Sequence, residues 1–377
     1  MSINGIIKKL IIRIYDFNKK RLLNRKIKEI VSFQNRKMNM VSPPSDVLRD
    51  HVKLWKSLTN RVNPDWLKAY GNISGLWDMR YIPESLYYNI VEPVLNNKSF
   101  SKCYTDKNFY SVVLDEFKRP ETLLSNINGV FYSSNGDFIT TEEAVAGVKR
   151  LRSFIIKPAV DSGGGKAVSL MSAMNEGFIS DSGEYCEAEK LFSRYGKDFI
   201  IQEVIEQHPY YARYNATSLN TVRVLTYRSC KDEKIHILHI VLRVGAKGKI
   251  TDNQASGGYA CGINDDGSLS GYAVDKHGNT YNEINGNPLV KGEKPFGIDI
   301  IKETALRIAP LFHYSRLIGM DLCIDQKGAC RVIEINNINN EINFFQMTRG
   351  PLFGEFTEEV INFCRGNKRS FMIDFEI

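Results

Sequence analysis

Apolar and polar residues follow two different rhythms along the chain, and the change near residue 105 divides it. Before that point the spacing is helical. In "IIKKLIIRIYDFNKKRLLNRKIKEI", Ile7, Leu10, Ile11, Ile14 and Tyr15 recur every three or four residues with lysine and arginine between them. Residues 42–100 open with "SPPSD" and carry Trp55, Trp66 and Trp77 among helix-like segments, with no period that suggests a repeat. Beyond residue 105, short apolar runs of strand length take over. "TDKNFYSVVLDEF" predicts a helix capped by Thr105 or Asp106, and "TTEEAVAGVKR" predicts a second capped helix. Between them a strand is expected near residues 130–132, ahead of the Asn135-Gly136 turn. Further strands are expected at 154–157, at 168–171 and in "DFIIQEVI", with a helix near 188–195. "LNTVRVLTYR" and "IHILHIVLRVG" read as two long strands, "FGIDIIKETALRIAPLF" as a helix and "LIGMDLCIDQKGACRVIEIN" as a hairpin. Strands and helices alternate without long βαβ regularity, so an α+β fold of mixed sheets is expected over a doubly wound one.

Composition changes this picture in one place. The 377 residues, 43% hydrophobic, allow two or three packed lobes. Seven scattered cysteines with no C-x-x-C pair indicate neither a disulfide framework nor a zinc ribbon, and a reducing cytoplasm fits them. No apolar run approaches the ~18 residues of a membrane span. The net charge of +7, however, is concentrated: residues 1–40 hold 11 Lys/Arg against 2 Asp/Glu. A basic amphipathic helix there reads first as a core helix with a solvated face. It reads second as a helix on an anionic membrane surface, and last as a nucleic-acid arm, since no recognition motif accompanies the charge.

Three stretches carry candidate chemistry. "FIIKPAVDSGGGKAVSLM" sets Lys157 and Lys166 on either side of Gly163, Gly164 and Gly165, whose backbone amides can approach an anion closely. The P-loop and dinucleotide patterns both fail here, because Val160, Ala167 and Val168 stand at required positions; the plain alternative is a hairpin turn. In the late hairpin, a turn centred on Gln326 and Lys327 would pair Asp321 with Val332 and put Asp321, Glu334 and Asn336 on one face. Two carboxylates and an amide are hard ligands suited to Mg²⁺, although each alone reads equally as a solvent-facing polar position. In "FIIQEVIEQH" a strand leaves an apolar run at Gln202 and can offer backbone groups to a purine edge.

The order of these parts resembles the ATP-grasp fold of carboxylate–amine ligases, over roughly residues 101–365. It comprises a helix opened by Asp106-Lys107, a strand ending in Lys157-Pro158, a glycine loop, a strand ending Gln202-Glu203-Val204-Ile205, and a hairpin with Asp321 and Glu334-x-Asn336. "SLNTVRVLTY", "LRVG", "DNQASGG" and "IGMDLCID" are similar to the sugar-transfer-associated subgroup found with polysaccharide biosynthesis. The resemblance implies a helical N-terminal region (1–100), an N-terminal ATP-grasp lobe (101–206) and a C-terminal lobe (207–377). It implies Lys107 and Lys157 on ATP phosphates, residues 163–165 as a flap, Gln202, Glu203, Val204 and Ile205 as the adenine hinge, and His208 near the ribose. Asp321, Glu334 and Asn336 become ligands of Mg²⁺. Peptide-ligase members of the fold usually carry an acidic residue where this chain has His208 and an arginine where it has Gly319, so Arg223 or Arg243 is expected to supply transition-state charge. Asn220, Asp252 and Asn253 are candidate substrate contacts.

The implied activity is an ATP-dependent ligase that forms an amide through an acyl phosphate, joining an amino acid or other amine to a uronic-acid carboxylate of a surface or capsular polysaccharide precursor. A kinase on the same fold and a non-catalytic nucleic-acid-binding protein are the alternatives. The expected setting is cytoplasmic, with peripheral contact at the inner face of a membrane and no nucleic-acid partner.

Overall fold

The long strands that follow residue 220 organise the molecule. A computed structural model describes residues 3–37, 39–160 and 167–371. The strands β1 (Thr122–Ile127), β2 (Val130–Ser133), β3 (Phe138–Ile139), β4 (Ser153–Pro158), β5 (Ser169–Met174), β6 (Gly177–Ser180), β7 (Tyr185–Glu187) and β8 (Phe199–Gln202) form one sheet in the order β3-β2-β1-β8-β4-β5-β6-β7. Two helices lie on it, α4 (Thr141–Lys149) and α5 (Ala188–Tyr195), burying Phe154, Phe178, Leu191 and Phe199. Helix α4 starts where its sequence demands: Thr140 accepts from the Glu143 amide while the Glu143 carboxylate accepts from the Thr140 amide.

The second sheet runs β13-β12-β11-β10-β9-β16-β17. Its strands are β9 (Thr221–Arg228), β10 (Ile235–Val244), β11 (Tyr259–Ile263), β12 (Leu269–Val274), β13 (Thr280–Tyr281), β16 (Leu317–Ile324) and β17 (Cys330–Asn336); β14 (Glu283–Ile284) and β15 (Asn287–Pro288) make a separate small hairpin. Every pairing in both large sheets is antiparallel, so the sheets are not mixed as the sequence pattern suggested. One face of the second sheet (Val222, Val224, Leu242, Met320, Leu322) packs on helix α6 (Ile298–Ile308). Successive side chains alternate faces, so Leu225, Tyr227, Val241 and Leu317 look the other way. They join a core with α2 (Ser45–Trp55), α3 (Asp65–Ser74), α7 (Asn343–Arg349) and α8 (Thr357–Gly366). The N-terminal helices therefore share a hydrophobic core with the C-terminal sheet.

Four expectations change. Residues 105–117 give a 3₁₀ turn (Lys107–Phe109) and a single α-turn (Tyr110–Val113) rather than one helix. Trp77 lies outside any helix. The hairpin pairs Asp321 with Glu334 and not with Val332, because a bulge at Ile333 shifts the register. Helix α1 spans Ile3–Lys37, yet Ile7, Leu10, Ile11, Ile14 and Tyr15 are exposed; Ile27 and Ile30 enter the core instead. Among the described residues no helix is long and apolar enough to cross a membrane.

Candidate functional site

A cleft of about 650 Å³ opens between the two sheets. It is lined by Lys107 and Lys157, by Gln202 through Gln207, and by Thr221, Arg243, Asp252, Asn253, Asp321 and Glu334. Register explains why the last group converges. Arg223 stands directly opposite Asp321 and Asp321 opposite Glu334, while Arg243 stands opposite Thr221. These residues occupy the same sheet face that Leu225 and Tyr227 bury elsewhere, so the site is the polar end of an otherwise apolar face.

The Gln202–Gln207 side of the cleft is fixed by its neighbours. Strand β8 ends at Gln202, where it pairs with Thr122 and Ile155, and beyond it the chain leaves both ladders. Glu203 is held by its amide on the Glu121 carbonyl (3.0 Å) and its carboxylate on Arg331 (3.2 Å), and Arg331 also holds Asp325 (2.8 Å). The Gln326 amide donates to the Glu206 carbonyl (2.8 Å), so residues 203–206 and the tip of the β16–β17 hairpin are tied together. Lys107 begins the 3₁₀ turn capped by Asp106, which accepts from the Asn108 amide, and the Lys107 amide donates to the Ala159 carbonyl (3.0 Å). That bond sets Lys107 beside the end of β4, which carries Lys157.

The electrostatics are unusual for so small a volume. Lys107 pairs with Glu334 (2.8 Å). Lys157 is 8% exposed and makes no ion pair among the described residues; burial, and then the nearby Lys107, push its ammonium down to about 8, with Glu334 opposing. Asp321 takes Arg223 on both oxygens (Nε–Oδ1 2.6 Å, Nη2–Oδ2 2.5 Å) and Arg243 on Oδ2 (3.0 Å). Burial raises the Asp321 carboxyl, but the two arginines outweigh it and hold it at about 2. Asp252 shares Arg243 (3.3 Å) and accepts from the Thr221 hydroxyl; burial leaves its carboxyl raised.

The structure corrects several sequence assignments. His208 does not line the cleft: its ring stacks on Phe296 (centroids 3.9 Å apart) and its Nδ1 accepts from the Tyr210 amide. Glu206, two residues earlier, is an acidic residue that does line the cleft. Asn220 is a buried staple, donating to the Tyr211 and Asn215 carbonyls and accepting from Ser218 and the Gly245 amide, and Thr221 faces the cleft instead. Arg223 lies behind Asp321, packed over the Phe344 ring, and is not a lining residue, whereas Arg243 is. Asp252 is a buried ion-pair member rather than loop polarity. A Cβ at Gly319 would lie 2.6 Å from Asn340 Oδ1, so a larger residue there would have to displace the Asn340 side chain; the arginines beside Asp321 come instead from β9 and β10. Gly163, Gly164, Gly165 and Lys166 lie outside the described residues.

For a divalent cation the donor set is of the right class. Glu334 reaches the cleft with its side chain 31% exposed, and Asn336 Nδ2 lies 3.4 Å from Asp321 Oδ2, leaving the Asn336 oxygen as a donor. Among the described residues Asp321 Oδ1 accepts from Arg223 Nε alone, which leaves it lone pairs to offer a cation. Two carboxylates and an amide oxygen are hard donors of the kind that hold Mg²⁺ with water and phosphate oxygens completing its shell; among the described residues no group of three or more His, Cys, Asp or Glu is placed to hold a metal.

No curated protein sequence matches the chain. Among solved structures it is similar to the ATP-grasp ligase PsnB complexed with minimal precursor (16% identity, 71% of this chain and 63% of that one, TM-score 0.38). It is similar also to VanG D-Ala:D-Ser ligase from Enterococcus faecalis (12%, 72% and 64%, 0.41) and to D-alanine–D-alanine ligase from Bacillus anthracis complexed with ATP (11%, 72% and 68%, 0.39). The chain spans less than two thirds of the length of the first two. The family model described as sugar-transfer associated ATP-grasp matches residues 88–360, most of the chain and both sheets, and the chain therefore belongs to the sugar-transfer associated ATP-grasp family.

Proposed function

We propose that the protein is an ATP-dependent carboxylate–amine ligase, joining an amino acid or amine to a uronic-acid carboxylate of a surface-polysaccharide precursor handled beside a membrane. The observation that carries this reading is a nucleotide-sized cleft with cations at one end, Lys107, Lys157 and Arg243, facing Asp321 and Glu334. Adenine would rest against residues 202–205, with Glu206 accepting from ribose hydroxyls. Lys107 and Lys157 would hold the phosphates, the second as a buried charge whose partner the nucleotide supplies. Mg²⁺ held by Asp321, Glu334 and Asn336 would neutralise charge on the β- and γ-phosphates. Arg243 and Asn253, which bond each other (2.8 Å), face the space left for the carboxylate, and Arg223 positions Asp321 from behind.

In this mechanism a carboxylate oxygen attacks the γ-phosphorus, ADP leaves, and the acyl phosphate carries charge that Arg243 takes up. The amine then attacks the carbonyl carbon, the C–O bond to phosphate breaks, and inorganic phosphate departs with that oxygen. A screen of phosphate release over uronic acids crossed with amines tests the reading. Release that needs both a carboxylate and an amine supports it; a phosphorylated product with no phosphate release would make the protein a kinase.

A further inference from the structure

Helix α1 changes its apolar side part-way along. At 3.6 residues per turn, Ile6, Ile7, Leu10, Ile11, Ile14 and Phe17 fall on one arc, about 150° round the cylinder from Leu23, Ile27 and Ile30. The second set is seated in the core, with Ile27 fully buried. The first set points away from the body: Leu10 is 57% exposed and Phe17 67%. The inward side of the same half is occupied, since Asp16 pairs with Arg369 (2.7 Å), the Asn89 amide donates to the Asp16 carbonyl (3.1 Å) and Lys19 lies over the Tyr88 ring. The outward face is therefore not a core face awaiting a slight shift.

Its charges select the partner. Asp16 is the one carboxylate among residues 3–28, and it is turned inward. Exposed Lys8 and Arg13 flank the apolar arc, and Arg21 and Lys28 continue it on the same side. A second copy would bring like charges together. A seam of Ile7, Leu10, Ile14 and Phe17 alone spans about 80° and would suit one partner helix, but Ile6 and Ile11 widen it to about 140°, broader than a two-helix seam needs. We infer that residues 6–28 of α1 form a docking surface for an anionic lipid bilayer, lying in the interface plane with the apolar arc in the headgroup–acyl boundary and the cations among the phosphates. This stands apart from the catalytic reading.

Flotation with equal parts phosphatidylcholine and phosphatidylglycerol, against phosphatidylcholine alone, tests it without nucleotide. The intact chain is expected to float with the anionic vesicles at low salt and progressively less as salt rises. Arg13→Gln should lower partitioning about fivefold, from the ~1 kcal/mol one cation contributes there. Leu10→Ser with Ile14→Ser should lower it at least about tenfold. Both positions face solvent, so thermal melting should be unchanged. A chain that stays free of anionic vesicles, or variants that float as well as the parent, would overturn the proposal. So would self-association, or capture of a protein partner, abolished by Leu10→Ser with Ile14→Ser while flotation persists.

Discussion

Replacing Lys157 by methionine should move stability and nucleotide binding in opposite directions. The ammonium is 8% exposed and has no ion-pair partner among the described residues, and the drop from 10.5 to about 8 corresponds to roughly 3 kcal/mol against the charged form in the fold at neutral pH. Methionine keeps the length and removes the charge, so the apo protein should gain up to about that amount. The pH dependence has a definite sign. The folded pKa is lowered, so between about 8 and 10.5 the unfolded chain binds the extra proton and wild-type stability rises with pH, a slope the variant lacks. ATP affinity should fall by about three orders of magnitude, since a charge some 4 Å from a phosphate contributes roughly 4 kcal/mol at an effective dielectric near 20. In the parent, affinity should also weaken as pH rises through about 8, where the free protein loses that charge. Denaturant titration and isothermal calorimetry read the two effects. A variant that is less stable and binds ATP as well as the parent would refute the reasoning.

Other variants separate roles that lie close together. Glu206→Gln should raise KM for ATP, whereas His208→Ala, which loses the stack on Phe296, should lower the melting temperature and leave KM alone. Arg223→Ala should destabilise by about 3 kcal/mol, because the buried Asp321 carboxylate would keep only Arg243; thermal or denaturant unfolding checks this. Glu334→Gln should leave the fold intact, as its side chain is partly exposed, and lower Mg-dependent turnover by about two orders of magnitude in a coupled ADP assay.

Where local chemistry decides, the sequence was legible. The capping box of Thr140 and Glu143, the α5 helix and the two long strands β9 and β10 are set by patterns within a few residues. The convergence of Asp321, Glu334 and Asn336 survived a wrong register, because the bulge at Ile333 keeps those oxygens on one side. Alternation along a single strand could not tell Arg243, at the cleft, from Arg223, beneath Asp321, because that depends on which neighbouring strand covers which side chain. Periodicity likewise grouped Ile7, Leu10 and Ile14 on one side of α1 but carried no information on which side meets the body, and the later Ile27 and Ile30 took that place. Nothing periodic marks Glu206, because the chain leaves the β-ladders after Gln202 and every residue from Gln202 to Gln207 lines the cleft.

The central claim is the acyl phosphate, and oxygen tracing tests it most directly. With the carboxylate substrate identified by the screen and labelled with ¹⁸O in its carboxyl group, turnover with an amine should release inorganic phosphate that carries one labelled oxygen, because the C–O bond breaks on the carbonyl side. Release of unlabelled phosphate, or transfer of the phosphoryl group to a hydroxyl with the carboxyl label retained in the product, would contradict the account.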